Sequence, residues 1–264
     1  MDIVIRNLFC LLRAGTFHSE EHIEPMSASK WAKAYRLSMT HGVAAEAWAG
    51  ITRLQDQFFM RLTDDLHREW EKSAATTRSS ASTPLSSRLS KKIDRMEEEE
   101  DSRISAATFN VLRRMATLSQ SLLTADRWIR QLLSLAILLN GDGPRLNREL
   151  LQDCVEELGM DRMAQMECAL LHRLLGTDEK KLPLRQTLSD SLIAQGVEDI
   201  AATIDATTHQ WQYSQGDNEF VHNDNSSALY WQARHSVHYL KYHPKASINS
   251  FFSSFVKSLT NIEE

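Results

Sequence analysis

The chain is predicted to be all-α: two helical blocks joined by a Ser/Thr-rich linker, packed as an irregular multi-helix bundle. Three observations predict it. Apolar residues recur three and four apart through both ends of the sequence, the spacing of a buried helical stripe. Runs of alternating β-branched residues are nearly missing; Asp2–Arg6 and Glu219–Val221 are the only short strand candidates. Between the two ends, residues 73–103 break the pattern with Ser, Thr and charge.

The elements follow in order. Ile5, Leu8, Phe9 and Leu12 fall on one face of a first helix, which Gly15 is expected to end. Ser27 or Ser29 is positioned to cap a second, carrying Trp31, Ala34, Tyr35 and Met39. Gly42 separates it from a short third helix over 43–53. A fourth is expected from Gln55 to Lys72, because Phe58, Phe59, Leu62, Leu66 and Trp70 share a face and no Gly or Pro interrupts. This N-terminal block spans 1–72.

The linker, 73–103, opens with SAATTRSSASTPLSSRLS, which has too little apolar content to offset its ordering entropy. KKIDRMEEEED at 91–101 reads as a solvated charge run that extends the next helix. A regulated tether is the alternative, since Ser and Thr near basic residues suit phosphorylation.

The C-terminal block, 104–264, opens near Ile104; the two blocks are free to pack as one domain. Phe109, Leu112, Met115 and Leu118 make one stripe, and Trp128, Leu132, Leu135 and Leu139 the next. Asn140-Gly141-Asp142-Gly143-Pro144 predicts a stop. Asn147 is the expected N-cap of a helix closed by Gly159; Asp161 is the expected cap of another, followed by Gly176. Two helices are expected at 187–195 and 197–212, a polar loop at 215–227, and a last pair at 228–242 and 246–261 broken by Pro244.

Composition bounds the function. Net charge is −5 and the pI about 6.1, which argues against nucleic acid as main partner. Cys10, Cys154 and Cys168 form no CxxC pair, and each sits at helical spacing among apolar residues, so buried thiols in the cytoplasm are expected. The apolar start is interrupted by Asp2 and Arg6 and reads as a core helix, not a signal peptide. LLSLAILL at 132–139 is too short to span a membrane.

A search for chemistry is mostly subtractive. GxxxxGK[ST], GxGxxG and GxSxG are absent. His18-Ser19-Glu20-Glu21-His22 spells a zinc-helix motif, but it follows Gly15 and precedes Pro25 in a polar stretch, so a solvated loop is expected. His235, His238 and His243 lie among aromatics and read as core or surface histidines. No Asp-x-Asp occurs; Asp64 and Asp65 point to different sides of their helix, and Glu97–Asp101 lacks an apolar setting. Cys168 and His172 are one helical turn apart, yet their apolar surroundings favour an inert thiol. Tyr230, Trp231, Tyr239, Tyr242, Phe251, Phe252 and Phe255, with Arg234, Lys241, Lys245 and Lys257, have the composition of a single-strand or membrane surface, but aromatics at helical spacing are more often core.

Five segments carry a family resemblance. LFCLLRAGTF (8–17), WAKAYRLSMTHGVAAEAWAGITRL (31–54), WIRQLLSLAILLN (128–140), LNRELLQDCVEELGMDRMAQMECALLHRLLG (146–176) and ALYWQARHSVHYLKYHP (228–244) together cover about half the chain. In this order they resemble the helical flanks of a bacterial family of uncharacterised nucleotidyltransferases, related to the minimal, polymerase-beta-like superfamily. The resemblance implies a catalytic core between the blocks, with a Gly-Asp-x-Asp motif for metal and nucleotide. Only 73–103 stands there, and Ser134 replaces the Asp expected after Arg130. No catalytic residue, metal ligand or cofactor carries over. The expectation is a catalytically inactive relative that acts as a protein-interaction or regulatory module with a protein partner. The alternative is a nucleotidyltransferase-like enzyme or nucleotide-binding protein in which Arg130 contacts phosphate. Nucleic-acid binding by the C-terminal basic-aromatic segment is a third reading, which the acidic pI opposes.

Overall fold

A computed structural model describes residues 1–57, 62–76, 85–100, 105–124 and 127–212. Among them are ten α-helices and no strand. The predicted helices of 228–261, the loop at 215–227, the Glu219–Val221 candidate and the histidines 235, 238 and 243 lie outside the described residues.

The first helix, α1 (Ile3–Phe17), takes in the Asp2–Arg6 strand candidate from Ile3 onward and runs through Gly15 rather than stopping there. His18 ends it in the left-handed region, φ 58°. Gly15 has a packing role instead. A Cβ there would lie 2.1 Å from the Glu46 carbonyl oxygen, and one at Gly50 would lie 2.1 Å from the Leu11 carbonyl oxygen. Glycine on both helices lets α1 and α3 (Ala44–Arg53) cross backbone to backbone. Between them, α2 (Ala28–Thr40) starts where the Ser27 hydroxyl accepts from the Lys30 amide at 3.4 Å. Gly42, at φ 67°, makes the turn into α3.

The fourth helix begins later and ends later than expected: α4 covers Asp64–Thr76. Thr63 Oγ1 accepts from the Leu66 amide, a cap that the apolar pattern through Gln55–Lys72 conceals. Trp70 is buried from this helix, packs in a tilted pair with Tyr35 at 5.3 Å between ring centres, and donates its indole N–H to the Ala44 carbonyl at 3.2 Å. Phe58 and Phe59 lie outside the described residues.

The stretch 73–103 is not uniformly a linker. Its first residues finish α4, and Ser87–Glu99 form α5, a docked helix. Ile93 is fully buried and Met96 nearly so, on a stripe continued by Leu85 and Leu89. The charge run is anchored rather than free: Arg113 holds Asp94 at 2.8 Å and also Glu97, and Lys92 donates to the Glu157 carbonyl at 2.9 Å.

The second block begins with α6 (Ser105–Thr124) and α7 (Trp128–Asp142). The latter continues through Asn140 and Gly141, and the stop comes at a single 3-10 turn over Gly143–Arg145. Asn147 caps α8 (Arg148–Leu158) by accepting from the Leu150 amide at 3.1 Å, and Gly159 closes it at φ 66°. Asp161 is the first helical residue of α9 (Asp161–Leu175), not its cap; Met160 takes that place. A carboxylate in the first turn still faces the positive helix end. The last described helix, α10 (Asp190–Gln212), is continuous through Gly196, so the two helices expected at 187–195 and 197–212 are one.

The two blocks share one core. Phe9 of α1 lies 6.4 Å from Trp128 of α7, ring centre to ring centre, and His41 meets the same indole edge-on at 5.9 Å. Arg13 reaches across to donate to the Leu174 carbonyl at 2.7 Å. Apolar contact of this kind, at roughly 25 cal/mol per Å² buried, makes the blocks halves of one hydrophobic unit.

Candidate functional site

Fourteen residues separate α9 from α10, the longest connection between described helices whose residues are all placed. Connections of this length in a compact fold are uncommon without a role. This one is held at both ends. Gly176 leaves α9 in the left-handed region at φ 64°. The Asp178 carboxylate caps a 3-10 turn, Glu179–Lys181, through the Lys180 amide at 2.9 Å. Arg148 of α8 donates to the carbonyls of Lys180 at 2.9 Å and Leu182 at 3.4 Å.

Gln165 of α9 fastens the far end. Its side-chain oxygen accepts from the Thr187 amide at 3.0 Å, the Thr187 hydroxyl at 2.9 Å and the Leu188 amide at 3.0 Å. Its own carbonyl accepts from the Gln186 side-chain amide at 2.7 Å. The strap so formed stands off α9 and the start of α10, leaving an open groove of about 800 Å³. Ala169, Leu182, Leu184, Leu188 and Ile193 supply the apolar part of its lining. His172, Arg173, Glu179, Arg185 and Asp190 stand around it.

Those charges are not equivalent. His172 Nδ1 must donate to the Thr177 carbonyl, 3.0 Å away, and Nε2 lies 3.7 Å from Glu179. Asp190 sits in the first turn of α10, where a carboxylate suits the helix end. Among the described residues, neither Arg173 nor Arg185 has a side-chain hydrogen bond or ion pair, and both are exposed. The oxygen of the Gln186 side chain is buried at the groove wall without a partner.

The residues singled out in the sequence go elsewhere. Arg130 is engaged with Glu46 of α3 in a half-buried ion pair between the blocks, so its charge is already met. Ser134, where the family pattern expects an Asp, is half-buried on α7. His18 and His22 are exposed in a non-helical loop, while Glu21 between them is taken by Arg13 at 2.6 and 2.7 Å. That pairing holds the Glu21 carboxyl below its usual range against the opposing effect of burial. Asp65 pairs with Arg68 on the surface at 2.7 Å. Cys168 and His172 do not form a dyad: burial pushes the thiol up to about 12, and the imidazole points to Thr177 and Glu179. The Cys154 thiol is pushed up to about 11 by burial and by Glu157, Glu100 and Asp153. Among the described residues no group of three His, Cys, Asp or Glu side chains is arranged to hold a metal ion. None of their helices is long and apolar enough to cross a membrane.

Two buried polar groups stand outside the groove. Glu167 is fully buried on α9, accepts from the Ser119 hydroxyl at 2.6 Å, and leaves its second oxygen without a partner. Burial raises its carboxyl well above the ordinary range, against the Ser119 hydrogen bond, which lowers it. His41 is fully buried with neither ring nitrogen bonded; burial, then the charge of Arg127, lowers it to about 4.

Sequence reasoning missed Gln165, Arg173 and Arg185. The available signal was the spacing of Leu182, Leu184 and Leu188 in a non-helical stretch between two strong helices. Comparison of the chain with protein-family models, with curated proteins and with solved structures gave no match.

Proposed function

We propose that this chain is a non-catalytic helical module that works by docking a protein partner in the groove between α9, its following strap and α10. The observation that carries the reading is the construction of that groove. An irregular backbone segment is fixed at both ends by side-chain hydrogen bonds, beside an open groove lined by both charged and apolar side chains. A lining that mixes polar and apolar groups is the ordinary make-up of a protein-recognition surface. It is open to solvent, which suits a chain segment better than an enclosed small molecule.

The resemblance of the helical flanks to the bacterial nucleotidyltransferase family supports an origin as an inactive relative. The engagement of Arg130 with Glu46 supports the inactive side of that reading, because the expected phosphate contact is occupied. Three free thiols fit a cytoplasmic setting.

The test has two arms. Purified protein with ATP and magnesium should transfer no nucleotide, and nucleotides should leave its melting temperature unchanged. A photo-crosslinking residue in place of Leu188 should give discrete protein adducts in cells, whereas the same residue in place of Glu149 on α8 should not. Nucleotide transfer, or equal adducts from both positions, would refute the proposal.

A further inference from the structure

Helix α5 carries its charges in the order that opposes its own dipole. Arg88, Lys91 and Lys92 fall in its first two turns and Glu97, Glu98 and Glu99 in its last. No acid stands in the first turn and no base in the last. Cations are disfavoured at the positive end of a helix and anions at the negative end. Two other helices of the chain have the favoured order: α3 runs from Glu46 to Arg53, and α9 from Asp161 to His172 and Arg173. Ser86, at the N-cap of α5, makes no side-chain cap hydrogen bond either. An isolated helix of 13 residues is marginal in water even with favourable charges. Docking is what keeps α5 helical.

That docking is thin. Ile93 and Met96 are the buried residues of α5, whereas ten of the 15 residues of α9 are buried. The rest of the hold is polar and partly exposed. Arg113 of α6 clasps Asp94 at 2.8 Å and also Glu97, Lys92 meets the Glu157 carboxylate at 3.3 Å, and the Ser86 amide donates to the Gln120 side chain at 2.9 Å. From this construction we infer that α5 is an order–disorder switch: it leaves α6 and unfolds as one unit while the other described helices stay in place, and negative charge added beside the Arg113 clasp opens it. The inference is independent of the groove. Opening frees Arg113 and uncovers the side of α6 against which α5 packs.

The position that senses charge is Ser90. It lies four residues before Asp94 and seven before Glu97, on the face that Arg113 clasps, and its hydroxyl donates to Asp94 at 3.4 Å. Lys91 and Lys92 follow it by one and two residues and do not share its face. An anion at position 90 meets two carboxylates with one guanidinium to serve all three. Ser87 is the opposite case. It is exposed in the first turn, with Lys91 four residues on, so a carboxylate there meets both the dipole and a cation. Added charge at two serines three residues apart acts in opposite directions.

Native-state hydrogen exchange on the full chain, read by mass spectrometry, tests this. Amides of 91–99 should exchange as a group, at least ~10-fold faster than the slowest amides of α6 and α9. Ser90→Glu should speed that group a further ~2–5-fold and the neutral Ser90→Gln by less. Ser87→Glu should slow it by ~2–5-fold. Exchange in α9 should not move in any of them. Arg113→Ala, with an expected acceleration of ~2–5-fold, carries the test if Ser90→Glu does not fold. Exchange of 91–99 no faster than that of α9, acceleration of α9 together with α5, Ser90→Glu no faster than Ser90→Gln, or acceleration by Ser87→Glu would each overturn the inference.

Discussion

Substituting alanine for Gly50 adds one methyl group at the crossing of α1 and α3. The added carbon would lie 2.1 Å from the Leu11 carbonyl oxygen, 2.7 Å from its carbon and 2.8 Å from its Cα. All three are main-chain atoms inside a helix, so no side chain can turn away. The helices must separate by roughly 1 Å, and a gap of that size forfeits a quarter to a half of each dispersion contact it opens. Overpacking of this kind costs about 1–3 kcal/mol, and a rigid backbone neighbour puts this case at the upper end. Alanine's better helix propensity returns up to about 1 kcal/mol. The net expectation is a loss of about 2 kcal/mol, or roughly 4–8 °C in melting temperature for a chain of this size. Gly141 on α7 is the control: it is exposed, and a Cβ there meets nothing within 4 Å. Gly141→Ala should be neutral or stabilising by up to about 1 kcal/mol. Urea titration followed by circular dichroism measures both. Equal stability of the two variants would refute the close-crossing argument.

Buried ionisable groups set opposite pH trends. His41 is neutral in the fold, and its lowering from 6.5 to about 4 means that the unfolded chain binds the proton first as pH falls. Its contribution, roughly 3 kcal/mol, is present above pH 6.5 and is lost on descent to pH 4. His41→Phe, which keeps a ring against Trp128, should therefore flatten the fall in stability between pH 7 and pH 4.5; an unchanged slope counts against it. Glu167 has a raised pKa, so its stability is complete below the unfolded value near 4.5 and declines as pH rises. Glu167→Gln should stabilise the protein at pH 7.5 and change little at pH 4, as thermal melts at the two pH values will show. Arg113→Ala removes the clasp on Asp94 and Glu97; both are partly exposed, so about 0.5–1 kcal/mol is at stake. Hydrogen exchange should rise in 87–99 before it rises in α6. Of the three thiols, Cys168 should resist iodoacetamide until the chain unfolds, because the thiolate is the nucleophile and burial keeps it protonated.

Helix ends were legible where the signal is local. Ser27, Asn147, Gly159 and Gly176 each act within a few residues of themselves, through a hydroxyl, an amide or a positive φ. Misreadings cluster at glycines whose role depends on another helix. Gly15 reads as a stop until Glu46 and Gly50 are placed against it. The helix at 87–99 was concealed differently: Leu85, Leu89, Ile93 and Met96 follow helical spacing, but charged neighbours dilute them below the level at which composition signals burial. Site residues were least legible. Arg130 attracts attention from a family pattern, yet its partner Glu46 is 84 positions away. Nothing local distinguishes its charge from the free charge of Arg173.

The placement of the groove also follows from where the fold is rigid. On its inner side α9 is packed almost without exposure, from Met163 to Leu175, and Arg13 ties its end to α1. A recognition surface needs such a wall, because side chains that wander lose binding energy to ordering. It also needs backbone that departs from regular structure, so that side chains converge instead of diverging around a helix. Residues 176–189 supply this, and Gln165 supplies the anchor: its one side-chain oxygen accepts from two backbone amides and a hydroxyl. Gln165→Ala should therefore leave global stability within about 1–2 kcal/mol of wild type while raising hydrogen exchange at 186–189. If exchange there stays slow, the strap is held by its leucines and not by Gln165.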